Sequence, residues 1–269
     1  MTGTASLLGF WGRRTRLFLL EVGRLSRLLQ AFCWWGFVAP FSGKRAFRRE
    51  AFARQLLFMG NESFFIVALV AASVGAVLAL QAAYQLKQFG ALLYTGGLVS
   101  VSMARELGPV ITAIVIAGRV GAAVTAELGT MKVQEEVDAL TTLGIPPVPY
   151  LVVPRILAIS IMLPCLTILA DAIGMFGGFL IGALGLGIPS ALYVEKSFDS
   201  LVGKDILTGL VKSGAFALLV GSIACHKGLS VEGGAEGVGR ATTQSVVLSI
   251  ISIIVADCLF TAIFYYLFP

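Results

Sequence analysis

Several ionisable residues lie inside long apolar stretches of this 269-residue sequence, where a charge is costly. Four of them are Arg105, Asp171, Lys212 and Asp257. A charged side chain within a bilayer costs several kcal/mol unless it is paired or hydrated. Counting a rise of about 1.5 Å per residue from the ends of each stretch places all four at a similar depth. We therefore expect a belt of charge that faces the interior of a helix bundle or a water-filled cavity.

The similar depth of these charges also predicts how they pair. Asp171 is expected to pair with Lys212, and Asp257 is the alternative partner of that lysine. A permanent network of ion pairs would make these residues structural, whereas a hydrated cavity would give them a role in binding. The sequence leaves both interpretations open.

Arg105 has a predicted role of its own. Because it precedes Glu106 on a helix, the two side chains point about 100° apart and cannot easily serve one partner. With Glu106 turned toward neighbouring helices, Arg105 could meet an anionic group, and its planar guanidinium suits a phosphate. Pro109 cannot donate a hydrogen bond to the carbonyl of Arg105, which should loosen the helix there. The alternative is a permanent ion pair between Arg105 and an acidic residue.

The polar segment from Thr125 to Leu143 is too charged to lie in lipid. Thr125 can cap the start of a helix, and Val133, Val137 and Leu140 fall at i, i+4 and i+7 to form one apolar stripe. Acidic residues occupy much of the remaining surface. We predict a short amphipathic helix that joins two spans on the cytoplasmic side and docks into a groove of a partner. The alternative is a helix that rests on the membrane.

Several kinds of chemistry lack the residues that they need. No GxxxxGK[ST] sequence occurs, so the chain should not hold ATP by a P-loop. His226 is the only histidine, and the four cysteines are far apart in sequence. We therefore expect no catalytic residue, no metal site and no bound cofactor. The net charge of +5 comes without any nucleic-acid-binding motif, so we expect no nucleic-acid partner.

Membrane-spanning helices are the elements that must position these residues. Hydrophobic residues make up 57% of the chain and charged residues 13%. A soluble domain carries about 25% charged residues. Five stretches are long enough to cross a hydrocarbon core of about 30 Å. They cover residues 63–86, 97–121, 155–186, 204–226 and 243–268. The predicted fold is an all-α polytopic integral membrane protein.

A separate N-terminal region is predicted over residues 1–54, followed by one transmembrane domain over 55–269. Ten of the 20 lysine and arginine residues lie before residue 55. Residues 10–30 place arginines on one face and apolar side chains on the other, which predicts an amphipathic helix in the headgroup plane. Basic flanks mark the cytoplasmic side of a membrane. We expect a cytoplasmic N-terminus and a C-terminus on the opposite side.

Three short motifs, in order along the chain, resemble those of a known family. They are Arg105-Glu-Leu-Gly-Pro109, the stretch from Ala117-Gly-Arg119 to Thr125-Ala-Glu-Leu-Gly129, and Gly239-Arg-Ala-Thr-Thr-Gln-Ser-Val246. These motifs resemble the MlaE permease family, the membrane subunit of ABC transporters that work with MCE (mammalian cell entry) proteins. The resemblance covers nearly the whole chain after residue 50.

The resemblance implies a homodimeric permease bound to two ATPase subunits, often with a small STAS-domain protein, and to a hexamer of MCE proteins outside. The implied substrate is a phospholipid moved between the inner and outer membranes of a diderm bacterium, with ATP bound by the partner ATPase. A lipid cavity at the dimer interface would be formed by spans one, two and five, with lining residues Leu78, Gln81, Leu86, Phe89, Arg105 and Glu106. The segment 125–143 would be the coupling helix that seats in the ATPase, with contacts from Glu127, Met131, Glu135, Glu136 and Asp138.

Two other classes of function remain as alternatives. A lipid-modifying membrane enzyme would need a nucleophile and a base, or clustered carboxylates that bind a metal. The intramembrane acids are single and lie on different helices, which disfavours that class. A scaffold that only anchors partner proteins would need no polar cavity, so Arg105 and the other buried charges could become apolar without functional loss.

Overall fold

The computed structural model describes residues 49–267 together with Gly23 and Gln30. Helices make up almost all of this part of the chain, and it contains no strand. The amphipathic helix predicted over residues 10–30 lies outside the described residues, apart from those two isolated positions. The first described helix begins at Arg49 and passes residue 54 without a break. The predicted boundary at that residue is therefore not marked by a change in backbone structure.

Within the described residues, five helical segments are long and apolar enough to cross a membrane, which confirms the predicted all-α polytopic fold. They are numbered span one to span five in chain order: Phe52–Gln88, Leu92–Val133, Val148–Gly185, Gly203–Leu229 and Gly234–Tyr266. All five are longer than predicted, because a helix continues beyond its apolar stretch until a turn ends it.

The spans are built from the following elements. Span one lies in α1 (Arg49–Gln88). Span two begins with a 3-10 turn (Leu92–Tyr94) and contains the helices α2 (Thr95–Ser102), α3 (Gly108–Ile116) and α4 (Ala122–Val133). π-Helical segments at Met103–Leu107 and Ala117–Gly121 join these three helices. The short helix α5 (Glu136–Thr142) follows, and span three contains α6 (Val153–Leu180) between π-helical segments at Val148–Val152 and Ile181–Gly185. Then come α7 (Ser190–Ser200), α8 (Gly203–Leu229) and α9 (Gly234–Leu267).

The two ends of the bundle are named here after the short helices α5 and α7 that lie there. At the α7 end, the segment between spans three and four forms a helix. Its Tyr193 is buried against Gly178 and Gly182 of span three. Burial raises the pKa of Tyr193 to about 12, because the phenolate would lose its hydration. Packing of the ring against the two glycines attaches α7 to the bundle.

Spans one and three approach with their backbones in contact because glycines line their crossing. Gly75 of span one lies against the carbonyl group of Gly174, and Gly177 lies against Ala72. A β-carbon at Gly75 would overlap that carbonyl. Small residues commonly allow such close approach between membrane helices.

The main apolar core lies between spans two, three and four, and includes the fully buried Val120, Ile156 and Phe216. Span five contributes much less to it. In its most apolar window 11% of residues are buried, against 56% in span four. The apolar residues exposed along span five include Val247, Ile251, Val255 and Leu259.

Candidate functional site

Span two changes its helical geometry where it carries Arg105 and Glu106. Residues Met103–Leu107 form a π-helical segment, and the N–H of Gly108 donates to the carbonyl of Met103. Pro109 follows directly and has no N–H to donate. The helix is therefore loosened at the place that the proline predicted. Segments of this type recur at functional sites of proteins.

Lys212 is buried in span four with only 1% of its surface exposed, and it joins three spans. Its Nζ donates to a carboxylate oxygen of Glu106 on span two, and to Asp257 Oδ1 on span five at 2.9 Å. It also donates to Thr261 Oγ1 at 2.7 Å. An ammonium group has three N–H donors, so all of them are used. The result is a closed cluster of charge within the bundle.

The predicted pair between Asp171 and Lys212 is wrong. The alternative partner, Asp257, is the residue that the lysine contacts. Asp171 instead lies against Gly108 of span two, and its Oδ1 has no hydrogen-bond partner among the described residues. Similar depth along the bilayer was the basis of the prediction, but depth does not determine the direction in which a side chain leaves its helix.

Arg105 is paired, contrary to the expectation that it would be left without an acidic partner. Its Nε lies 3.5 Å from Oδ1 of Asp205, near the start of span four. The guanidinium makes no hydrogen bond within the described part of the chain, and 41% of the Arg105 side chain is exposed. Its N–H donors are therefore still available to a ligand.

Two members of this site were missed in the sequence. Asp205 is the second residue of the fourth apolar stretch, at its membrane-surface end, where a charge costs little and gives no signal of a site. It accepts a hydrogen bond from the backbone N–H of Val202 at 3.1 Å and so helps to cap span four. Thr261 is four residues beyond Asp257, and that spacing on a helix was a usable signal that the two share a face.

A cavity of about 260 Å³ opens beside these charges. Spans two, four and five line it, through Val101, Ser102, Arg105, Glu106, Thr208, Lys212, Thr261, Phe264 and Tyr265. Arg105 and Lys212 thus share one cavity, and the ion-pair cluster forms one of its walls. Whether the charges are structural or take part in binding was left open by the sequence, and this geometry is compatible with both roles.

Within this single chain, the predicted lining residues of span one do not reach that cavity. Leu78 packs instead beside the buried Val99 and Met103. Gln81 and Phe89 are exposed, and Leu86 is half-buried. The lining of a cavity between two copies by span one stays a prediction, because that surface needs a second chain.

The segment predicted as one docking helix is divided in the structure. Span two continues through α4 to Val133, and Glu135 then adopts a left-handed conformation with φ 61° before α5 begins. Thr125 does not cap a helix, because α4 continues directly from the preceding turns. Its Oγ1 donates to the carbonyl of Gly121 at 2.8 Å and lies 2.9 Å from Ser245 Oγ. The predicted docking helix is thus divided between α4 and α5, and only α5 is separate from span two.

Two of the three residues of the predicted apolar stripe contact the chain's own core, whereas Val133 is exposed. Val137 is buried there and Leu140 packs against it, so neither is presented to a partner as predicted. Met131 also packs against this core. The α4–α5 break allows this arrangement, because it turns α5 back toward the bundle.

The acidic residues of the segment differ in their contacts. Glu127 forms an ion pair with the buried Arg155 of span three at 2.7 Å. Asp138 pairs with Lys132 at 2.9 Å. Glu135 and Glu136 are exposed at the break between the helices. Of the predicted docking residues, these two are the best placed to meet a partner.

The second motif lies at the second π-helical segment of span two. Its Arg119 pairs with Glu62 of span one at 2.5 Å and donates to Ser63 Oγ at 2.6 Å. The guanidinium also lies 5.4 Å from the ring centre of Phe58. This motif residue therefore joins spans one and two.

Five spans with a charged cavity between three of them have the organisation of a transporter's membrane subunit, and comparison with known proteins supports this class. A probable ABC transporter permease protein of Rickettsia conorii is 41% identical over 255 residues, covering 94% of this chain and 96% of that protein. One from Synechocystis is 39% identical over 231 residues, covering 86% and 88%. The Arabidopsis thaliana protein trigalactosyldiacylglycerol 1, chloroplastic, is 36% identical over 212 residues, covering 79% and 61%.

The class that these relatives indicate is that of ABC transporter permeases. The model of one family, described as Permease MlaE, matches residues 52–263. The chain belongs to this family, which confirms the resemblance drawn from its three motifs.

Proposed function

We propose that this permease moves a phospholipid between the inner and outer membranes of a bacterium, with the lipid headgroup received at Arg105. The observation that carries the proposal is the exposed guanidinium beside the 260 Å³ cavity, with N–H donors that the described residues leave unused. A guanidinium binds phosphate through two parallel hydrogen bonds. A lipid substrate is also supported by the relative whose name contains trigalactosyldiacylglycerol, a glycerolipid.

A homodimer is the proposed working unit. Arg105 and Glu106 are partly exposed although they lie within a membrane span, and charged groups do not face acyl chains without heavy cost. Another polypeptide or a hydrated cavity must therefore cover them. The weakly buried span five, with its apolar outer face, offers a surface for a second copy. A cavity shared by two copies would be larger than the one formed by each chain.

The remaining partners follow from the family and from the placement of charge. We infer that the α5 end is cytoplasmic and holds the ATPase subunit, which binds the ATP, with Glu135 and Glu136 at the contact. The α7 end then faces the periplasm, where a hexamer of MCE proteins would receive the lipid. A STAS-domain protein bound to the ATPase, and insertion in the inner membrane, complete the proposed assembly.

Reconstituted transport tests this function. The complex in donor vesicles is expected to transfer labelled phospholipid in an ATP-dependent manner. Arg105→Glu should abolish transfer while the complex still assembles, because the carboxylate repels a phosphate. Arg54→Glu, at an exposed arginine that pairs with Glu50, is the matched control and should transport normally.

The outcomes separate three readings of Arg105. Loss of transfer in an assembled complex supports the proposal. Failure to assemble would make Arg105 a structural residue, and normal transfer would show that the headgroup does not bind there. Absence of transfer by the unmodified complex would reject lipid transport itself.

A further inference from the structure

One buried carboxyl group is not used by the cavity or by any ion pair of the described residues. Asp171 on span three is 8% exposed, and its Oδ1 has no hydrogen-bond partner in the described part of the chain. A polar group held this way within a membrane weakens the protein, and such residues commonly mark function. The neighbours of Asp171 indicate what that function is.

Asp171 lies against the end of the π-helical segment that carries Arg105 and Glu106. Its Oδ1 occupies the space that a β-carbon on Gly108 would need, and its Cγ is 2.8 Å from that position. Only glycine at residue 108 leaves this notch open. The carboxyl group thus fills a gap in the backbone surface of span two.

Span three contacts the beginning of the same segment three residues further along. The methyl group of Met103 lies in the space that a β-carbon on Gly174 would need. Asp171 therefore contacts Gly108, which directly follows the segment, and Gly174 contacts Met103, its first residue. Span three supports the π-helical segment at both ends.

This support matters because the segment is intrinsically weak. A π-helical turn is a rare departure from α-helix, and Pro109 removes an N–H that could stabilise the next turn. A small change in the winding of the segment would turn Arg105 and Glu106 away from Lys212 and the cavity. An external contact that holds the winding would hold both side chains in place.

We propose that Asp171 is a positioning residue, which fills the notch at Gly108 and so holds Arg105 and Glu106 toward the cavity. Where transport is the readout, this inference rests on the proposed function. It assigns to Asp171 a role through backbone position and not through direct contact with lipid.

Substitutions that alter the filling of the notch test the idea. Asp171→Ala leaves a gap behind the segment and should reduce lipid transfer at least about tenfold in an assembled complex, because small displacements of binding groups are costly. Asp171→Asn keeps the shape and should remain within about twofold of the unmodified complex. Thr167→Ala, one turn away on the same helix, is the control, since Thr167 is buried but bonds only to its own helix at Leu163.

A double variant that moves side-chain volume from residue 171 to residue 108 provides the sharper test. Gly108→Ala alone places a methyl group where the carboxyl group lies, and should also reduce transfer. Combined with Asp171→Ala, the new methyl group fills the vacated notch, so the double variant should exceed both single variants. A double variant no better than the worse single variant would contradict the notch-filling role.

A second readout does not depend on transport. Ser102→Cys, in a chain whose native cysteines are replaced, places a thiol on the cavity wall just before the π-helical segment. Its reaction rate with a membrane-impermeant thiol reagent should change in Asp171→Ala, and remain unchanged in Asp171→Asn and Thr167→Ala.

The inference is overturned if Asp171→Ala transports and reacts like the unmodified chain, if Asp171→Asn is as impaired as Asp171→Ala, or if Asp171→Ala alone fails to assemble. If the unmodified complex moves no lipid, the proposed function fails, while the thiol reaction still decides the role of Asp171.

Discussion

At the scale of single residues, the buried Lys212 shows how a membrane protein keeps a charge at depth. Three acceptors from two other spans meet its three N–H donors, so no donor is left unpaired. The two carboxylates, Glu106 and Asp257, depend on the same ammonium group. The cluster is therefore strong only while all of its members are present.

Removing the ammonium group should be costly. Lys212→Met strands two carboxylates and is expected to destabilise the chain by roughly 3–5 kcal/mol. Unfolding of the detergent-solubilised protein, followed by heat or denaturant, measures this loss. Lys196→Met is the matched control, because its ion pair with Asp199 is exposed and should contribute less than about 1 kcal/mol.

A rescue experiment identifies the cause of that loss. Adding Glu106→Gln and Asp257→Asn to Lys212→Met removes the stranded charges and should restore part of the stability. An unchanged deficit would show that packing of the lysine stem, and not its charge, accounts for the effect.

At the scale of elements, backbone contact between helices decides where glycine is required. Gly75→Ala drives a methyl group into the carbonyl of Gly174 and should destabilise by about 1–3 kcal/mol, as overpacking does. Gly214→Ala, in span four with no atom within 4 Å of the new methyl group, should be neutral or stabilising by up to about 1 kcal/mol. Equal effects of the two changes on thermal unfolding would contradict the assigned packing of spans one and three.

The break between α4 and α5 is the element that we expect to contact the ATPase. Replacing Glu135 and Glu136 together by lysine should weaken association with the ATPase by at least about tenfold. The lysines would repel an ATPase surface whose charge is complementary to the glutamates. The left-handed backbone at residue 135 imposes the same strain on lysine and glutamate, so the change tests charge.

Pull-down of the ATPase from detergent measures this association. Glu236→Lys is the control, at an exposed glutamate near the start of span five, on the same end of the bundle. Undiminished binding of the double variant would place the contact elsewhere.

At the scale of the whole molecule, we expect the energy for transport to come from a partner ATPase. The sequence contains no P-loop, so the purified chain alone is expected to hydrolyse no ATP. Hydrolysis should appear only when a partner ATPase is added, and a Walker-lysine variant of that partner should abolish it. Sustained hydrolysis by this chain alone would contradict the assignment of ATP hydrolysis to a partner subunit.

The sequence by itself determined the number of spans, the all-α class, the family and the place of the helix disruption near Pro109. These are properties of a one-dimensional pattern. The length of an apolar stretch decides whether a helix can cross the bilayer, and a missing N–H acts on its own turn. The similar depth of Arg105, Lys212 and Asp257 could be estimated in the same way, since rise along a helix is nearly constant.

Only the tertiary structure decided which side chains meet. Lys212 contacts Asp257 and Glu106 and not Asp171, and Arg105 contacts Asp205. Pairing depends on direction around the helix axis and on how the spans pack together. Two π-helical segments in span two change that direction without changing the apolar pattern. The turn at Glu135 brings Val137 and Leu140, two residues of the predicted docking stripe, into contact with the core. The depth of a side chain depends on its own helix alone, whereas the neighbour that it faces depends on how all the helices pack together.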